Sequence, residues 1–307
     1  MRPWSNMSTS WQQRPHRAKE IIESTVVVPA VAMCLVAVAP HYFIAWLTWR
    51  GLSSILPDWL YQKGDDFCYV IYQTYVLFFF EHFTGTKFIF DGDAEFAFRK
   101  KEKVLYLANH QSAVDWVLSN VVAVRQGSIG HLRYVMKSSL QIIPLYGYYF
   151  YQHGCIYVRR GQFSQEKMLT GLQYLQNPAI TSWLVVFPEG TRFNPECRTL
   201  IEKSEKIAKD AGLPVLKHHL TPKHRGSFMA LQALHKNLDA VYNITAVYGS
   251  SVTPDGRRVQ APQLTGFFNK SCQWVYVHIE RVPMQEVPLE EEKFRHWMHE
   301  CFVHRDR

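Results

Sequence analysis

From residue 85 onward, short runs of β-branched and aromatic residues alternate with longer segments of mixed polarity, the pattern of an α/β layer fold. The runs predict strands at 87–91, 104–108, 133–136, 154–158, 182–187, 241–247 and 274–279. Between them, helical spacing predicts helices at 112–124, 164–175, 200–211, 227–236 and 289–302. The first groups Val114, Val117, Leu118, Val121 and Val122 near one face; the second opens on Ser164 as a cap; the last gathers Phe294, Trp297, Met298 and Phe302. No repeat period or long linker interrupts this stretch. Residues 85–307 are therefore expected to form one domain, a mixed sheet of about seven strands flanked by helices.

Ahead of it the pattern differs. Residues 25–49, TVVVPAVAMCLVAVAPHYFIAWLTW, contain no Asp, Glu, Lys or Arg. As a helix they would extend about 37 Å, against roughly 30 Å of hydrocarbon. Pro29 and Pro40 offer kinks, and no small-residue cleavage pattern follows. A second run, FCYVIYQTYVLFFF at 67–80, would extend about 21 Å, short for a crossing. With Trp46, Trp49, Trp59 and Tyr61 between them, residues 25–84 are expected to be a membrane-associated helical hairpin, either spanning or entering one leaflet. The polar segment 1–24 carries Arg2, Arg14, Arg17 and Lys19 against Glu20 and Glu23, a weak lean toward a cytosolic N-terminus.

Composition narrows the partners. At 47% hydrophobic and 20% charged residues, wholesale disorder is excluded. A net charge of +8 suits an anionic partner. Nucleic acid is disfavoured, because no reader motif or aromatic–basic face is present. The six cysteines are scattered, giving neither a disulfide framework nor metal-ligand spacing.

Three motifs carry the candidate chemistry. Asn109-His110-Gln111-Ser112-Ala113-Val114-Asp115 falls where a strand ends and a helix begins, the usual place for reacting groups in such sheets. A turn there would bring the Asp115 carboxylate to the His110 imidazole, orienting the ring and supporting its charged form. Helix capping or a surface ion pair is the plainer alternative at this separation. Phe187-Pro188-Glu189-Gly190-Thr191-Arg192 follows the buried run WLVV; Gly190 permits close backbone approach, Thr191 adds a hydroxyl and Arg192 a fork suited to phosphate. Glu189 is expected either to orient Arg192 or to hold the turn. Gly154-Cys155-Ile156-Tyr157-Val158-Arg159-Arg160 delivers two arginines to a strand end, of which Arg159 is expected to face inward. Lys137 closes another strand end.

Taken together, the first two motifs resemble those of the glycerolipid acyltransferases, most closely the 1-acylglycerol-3-phosphate acyltransferases of the epsilon-type and lysocardiolipin acyltransferase-like branch. The resemblance runs from about residue 25 to the C-terminal region. It implies transfer of a fatty acyl group from acyl-CoA to the sn-2 hydroxyl of lysophosphatidic acid, with no resident cofactor or metal. By position, His110 matches the family's general base and Asp115 its supporting carboxylate. Glu189, Gly190, Thr191 and Arg192 match the acceptor motif, and Arg159 and Lys137 its other basic positions. The segment from Leu213 to Lys223 matches a fourth family region that shapes the acyl or CoA path. Lysophosphatidylglycerol or lysocardiolipin is an alternative acceptor, and a silent lipid-binding protein is the alternative of another class. The resemblance further implies membrane-lipid contact and an endoplasmic-reticulum membrane, with a mitochondrial membrane as alternative.

Overall fold

The computed structural model describes residues 22–159 and 163–306. Most of the polar segment 1–24, with the arginines counted above, and Arg160 lie outside the described residues. All seven predicted strands are present: β1 Lys87–Gly92, β2 Val104–Ala108, β3 Leu132–Lys137, β4 Ile156–Val158, β5 Trp183–Val186, β6 Ala240–Tyr248 and β7 Trp274–Pro283. They form one mixed sheet in the order β1-β7-β6-β2-β5-β3-β4, in which only β6 and β7 run antiparallel.

The helices, in chain order, are α1 Val28–Leu52, α2 Asp58–Phe78, α3 Ala94–Arg99, α4 Asp115–Gln126, α5 Tyr146–Gln152, α6 Gln165–Leu175, α7 Arg198–Asp210, α8 His224–Leu234, α9 Leu264–Phe268 and α10 Glu291–Arg305. Ser164 caps α6, its side chain accepting from Lys167 N at 3.3 Å. The central strands are apolar throughout because helices cover both sheet faces. Val104, Tyr106 and Ala108 join a cluster with α4 and with Trp46, Tyr69 and Phe80 of the N-terminal region. Leu105 and Leu107 point the other way, onto Met168 and Leu172 of α6, Leu231 of α8 and Phe294 of α10.

The N-terminal region corrects the membrane expectation. Among the described residues, no helix is long and apolar enough to cross a membrane. Pro40, His41, Thr48 and Arg50 interrupt α1, and α2 carries Asp58, Lys63, Asp65 and Asp66 in its first half. Much of the aromatic content assigned to a lipid boundary is packed on the protein: Trp46 is fully buried, and Tyr42 and Phe43 lean on the same core. Met33, Val36, Ile44 and Leu47 remain exposed. The transmembrane helix is withdrawn, and so is the endoplasmic-reticulum or mitochondrial membrane placement that the resemblance implied.

A buried polar network fastens this region to the sheet. Trp46 Nε1 donates to Asp65 Oδ1 at 2.7 Å, and His153 Nδ1 donates to Asp65 Oδ2 at 2.5 Å. Arg133 Nη1 donates to His153 Nε2 at 2.6 Å while its Nη2 reaches Asp66 at 2.9 Å. Burial and the neighbouring guanidinium hold His153 below the usual imidazole range, so it is neutral and serves as donor to one side and acceptor to the other. Asp65, Asp66 and His153 have metal-ligand proximity, but Arg133 already supplies their cation. Removing one member strands a buried charge, a loss of about 3–5 kcal/mol. Arg133→Met should lower unfolding free energy by that order in urea denaturation, and more than an exposed ion-pair control such as Lys209→Met.

Candidate active site

Four of the parallel strands deliver the candidate residues at their carboxyl ends, where α/β sheets hold ligands. Asn109 extends the β2–β6 pairing one step past the strand: its Nδ2 donates to Ala246 O at 2.9 Å and its Oδ1 accepts from Ala246 N at 2.7 Å. With the strand end pinned, the chain turns at once into α4, whose first residue is Asp115. Asp115 Oδ2 accepts from Gln111 N at 2.7 Å, Ser112 N at 3.0 Å and His110 Nδ1 at 2.7 Å, and Oδ1 accepts from the Tyr248 hydroxyl. A carboxylate in the first helical turn also meets the positive end of the helix dipole.

The consequence for His110 is a fixed tautomer. Since Asp115 only accepts, the proton sits on Nδ1 and Nε2 carries the lone pair. The ring stacks on Phe187, centroids 4.6 Å apart, and is 17% exposed, lining a cavity of about 1140 Å³. Such a volume exceeds the usual small-ligand range and suits a long substrate.

The turn after β5 lies directly behind the histidine. Glu189 is 1% exposed; its Oε1 accepts from His110 N at 2.6 Å and its Oε2 from Leu220 N at 2.8 Å. Burial pushes its carboxyl up to about 8, outweighing the opposing effect of the two N–H donors and of Arg305. Gly190 sits at φ +68°, with Lys223 Nζ 3.3 Å from where a Cβ would lie. Further stitches join the turn to its neighbours, Phe193 N donating to His110 O at 2.7 Å and Lys223 N to Pro188 O at 2.8 Å.

Lys137 and Arg159 close the adjacent strands β3 and β4, Lys137 being in register with Val158, and both line the cavity. Arg192 lines it too, exposed, its Nη1 donating to Gln263 Oε1 at 2.8 Å. Glu189 and Thr191 are not among the described residues that line it. Much of the remaining wall is apolar, with Tyr72, Val76 and Phe80 from the N-terminal region, Trp116 from α4, and Ile143 and Phe150 around α5, while the start of α8 and one side of α10 add polar and charged side chains.

Three further contributors carry no recognisable local signal in the sequence. Tyr248, the last residue of β6, holds Asp115 from 133 positions away, and nothing local marks it. Phe187 stands inside the recognised motif, but its role as a stacking partner depends on the β2–β5 pairing. Asp306, after α10, accepts from Lys217 N at 2.7 Å and His218 N at 2.6 Å and so anchors the segment that presents Leu220 to Glu189.

Comparisons with known proteins identify the family. The family described as Acyltransferase matches residues 94–249, and the Acyltransferase C-terminus matches residues 266–307. The chain is 43% identical over 277 residues to mouse 1-acyl-sn-glycerol-3-phosphate acyltransferase epsilon, covering 90% of this chain and 75% of that protein. It is 30% identical over 281 residues to the probable 1-acyl-sn-glycerol-3-phosphate acyltransferase 5 of Arabidopsis thaliana, covering 90% and 71%. The crystal structure of the 1-acyl-sn-glycerophosphate acyltransferase from Thermotoga maritima shares the fold, with a TM-score of 0.50 at 15% identity over 94% of this chain and 95% of that one. The chain therefore belongs to the 1-acylglycerol-3-phosphate acyltransferases, and it is an acyltransferase enzyme of that family.

Proposed function

We propose that the protein transfers a fatty acyl group from acyl-CoA to the sn-2 hydroxyl of lysophosphatidic acid, releasing phosphatidic acid and CoA. The observation that carries this is His110, its Nδ1 bonded to the buried Asp115 at 2.7 Å, in the wall of a cavity that also holds Lys137, Arg159 and Arg192. An anionic headgroup pairs with those cations, while an acyl chain fits the aromatic and aliphatic wall. The relatives, each named a 1-acyl-sn-glycerol-3-phosphate acyltransferase, support the same choice of acceptor.

In the reaction, His110 Nε2 takes the proton of the acceptor hydroxyl as its oxygen attacks the thioester carbonyl carbon. The carbonyl π pair moves to oxygen, then returns as the C–S bond breaks. The imidazolium, supported by Asp115, gives its proton to the departing CoA thiolate. One ester bond forms as one thioester breaks. Thioester chemistry needs no activation by ATP, and the ring's single lone pair serves both proton steps.

Arg192 of the acceptor motif, with Lys137 and Arg159, takes the phosphate, and Gly190 allows the backbone to approach it. Glu189 acts from behind as a positioning residue, holding the His110 main chain through a carboxyl that faces no solvent. Residues 25–84 supply the apolar approach to the site, and residues 85–307 carry the chemistry.

General acid–base assistance is worth about 10²–10⁴-fold, so His110→Ala should lose at least that much kcat in an assay of purified protein shown to be folded. Parent-like turnover in this variant would remove the mechanism. Arg192→Ala should raise KM for lysophosphatidic acid and leave KM for acyl-CoA alone. In competition among lysophosphatidic acid, lysophosphatidylglycerol and lysocardiolipin, read by product mass, lysophosphatidic acid should lead; a different leading acceptor would overturn the substrate assignment. Glu189 gives a pH signature. Its carboxyl titrates near 4.5 when unfolded and near 8 when folded, so the native state holds the proton more tightly. Its contribution to stability is complete below about pH 4.5 and lost as pH rises through about 8. The melting temperature of the parent relative to Glu189→Gln should fall across that window and level off above it.

A further inference from the structure

The cavity wall holds a group of polar atoms that the reaction above leaves unused. Ser227 in the first turn of α8 is fully buried, and His299 on α10 is 2% exposed. Both line the cavity, yet Ser227 Oγ and His299 Nδ1 have no hydrogen-bond partner. Buried polar atoms are nearly always paired, so two orphans in one cavity wall mark a place for a ligand. His299 Nε2 donates to Pro214 O at 2.8 Å, which puts the ring proton on Nε2. Burial holds the imidazole below its usual range, so Nδ1 presents a bare lone pair. Arg295, one helical turn earlier on the same side of α10, also lines the cavity; it pairs with Glu292 at 2.9 Å through Nη2 and leaves Nε unpartnered.

Close in sequence to Ser227, the N-terminus of α8 has no side-chain cap, and Lys223, His224 and Arg225 there line the same cavity. The two groups differ in what they bind. Uncapped helical N–H groups with cations favour phosphate. A neutral imidazole lone pair repels phosphate oxygens, whereas it accepts from an amide N–H, and a serine hydroxyl serves the amide carbonyl. One molecule combining amides with phosphates, and ending in a thioester, satisfies both.

We propose that this wall is the donor subsite: Ser227 and His299 hold an amide of the pantetheine arm of acyl-CoA, and Arg225 with its neighbours at the start of α8 holds the phosphates beyond. The assignment rests on acyl-CoA being the donor, and it separates donor from acceptor within one cavity. The acceptor phosphate takes Lys137, Arg159 and Arg192 on the sheet's strand ends; the donor takes α8 and α10.

The test uses the purified full chain and three donors with the same acyl group: acyl-CoA, acyl-pantetheine, which keeps the amides without the phosphates, and an acyl ethanethiol thioester, which has neither. Ser227→Ala should raise KM about fivefold for acyl-CoA and for acyl-pantetheine, the value of one net hydrogen bond, and leave the ethanethiol ester unaffected. Arg225→Ala, an exposed site, should raise KM for acyl-CoA alone. KM for the lysophospholipid should stay put in both. His299→Ala also breaks the bond to Pro214, so Ser227→Ala, which removes one oxygen, is the decisive variant. A parent that transfers from acyl-CoA, with KM unmoved in Ser227→Ala and Arg225→Ala or moved equally for all three donors, sinks the subsite alone. A parent that transfers from none of them sinks the acyl-CoA reading and the subsite together.

Discussion

Asp115 collects the Gln111 and Ser112 amides, the His110 imidazole and the Tyr248 hydroxyl on one buried carboxylate, and the site is organised around that convergence. Each bond does a separate task. The two amides draw the loop after β2 tightly onto the first turn of α4, which leaves the His110 ring one accessible orientation. The imidazole bond selects the tautomer. Tyr248 brings in β6 and fixes the second oxygen, so the carboxylate cannot swing away when the ring charges. An ion pair on an exposed helix would be worth a fraction of a kcal/mol and would hold no geometry; here the low dielectric and the number of donors make the pair a fixed part of the fold.

Around that pair the cavity wall is divided by chemistry. Strand ends supply cations because β3, β4 and β5 are parallel and all finish at the same edge, bringing Lys137, Arg159 and Arg192 to one cavity although they lie far apart in sequence. The apolar part comes in good measure from α2, through Tyr72, Val76 and Phe80. Aromatic and aliphatic side chains there serve two surfaces, the domain core on one side and the cavity on the other. For that reason, apolar composition alone misidentified the region's role: the same side chains that would suit hydrocarbon also suit a core and a lipid-sized cavity.

The sheet was largely legible because its strands are apolar and bounded by turn residues, and an unbroken apolar run such as Leu105–Tyr106–Leu107 marks two covered faces. The short helices α3, α5 and α9 escaped notice, since five to seven residues span too little of a helical repeat to show a face. At the site, His110 and Asp115 were legible through their local spacing, which the turn converts directly into contact. Tyr248, Asp306, Ser227 and His299 act through tertiary pairing, and none has a local pattern. The network of Asp65, Arg133 and His153 was hidden for the same reason, with partners up to 88 positions apart.

The two carboxyl groups nearest His110 are held by different means. Asp115 receives the imidazole; Glu189 receives only backbone amides, from His110 itself and from Leu220. Their charges oppose one another, and Asp115 adds to the burial that raises Glu189. A second full negative charge behind the histidine would bind the imidazolium more firmly and make it a poorer acid toward the leaving thiolate. A Glu189 carboxyl that gives up its proton only near pH 8 avoids that trap while still accepting the two N–H bonds that set the loop. Placing one carboxyl on the ring and a reluctant one on the main chain separates the electrostatic task from the positional one, and a single histidine can then act first as base and next as acid.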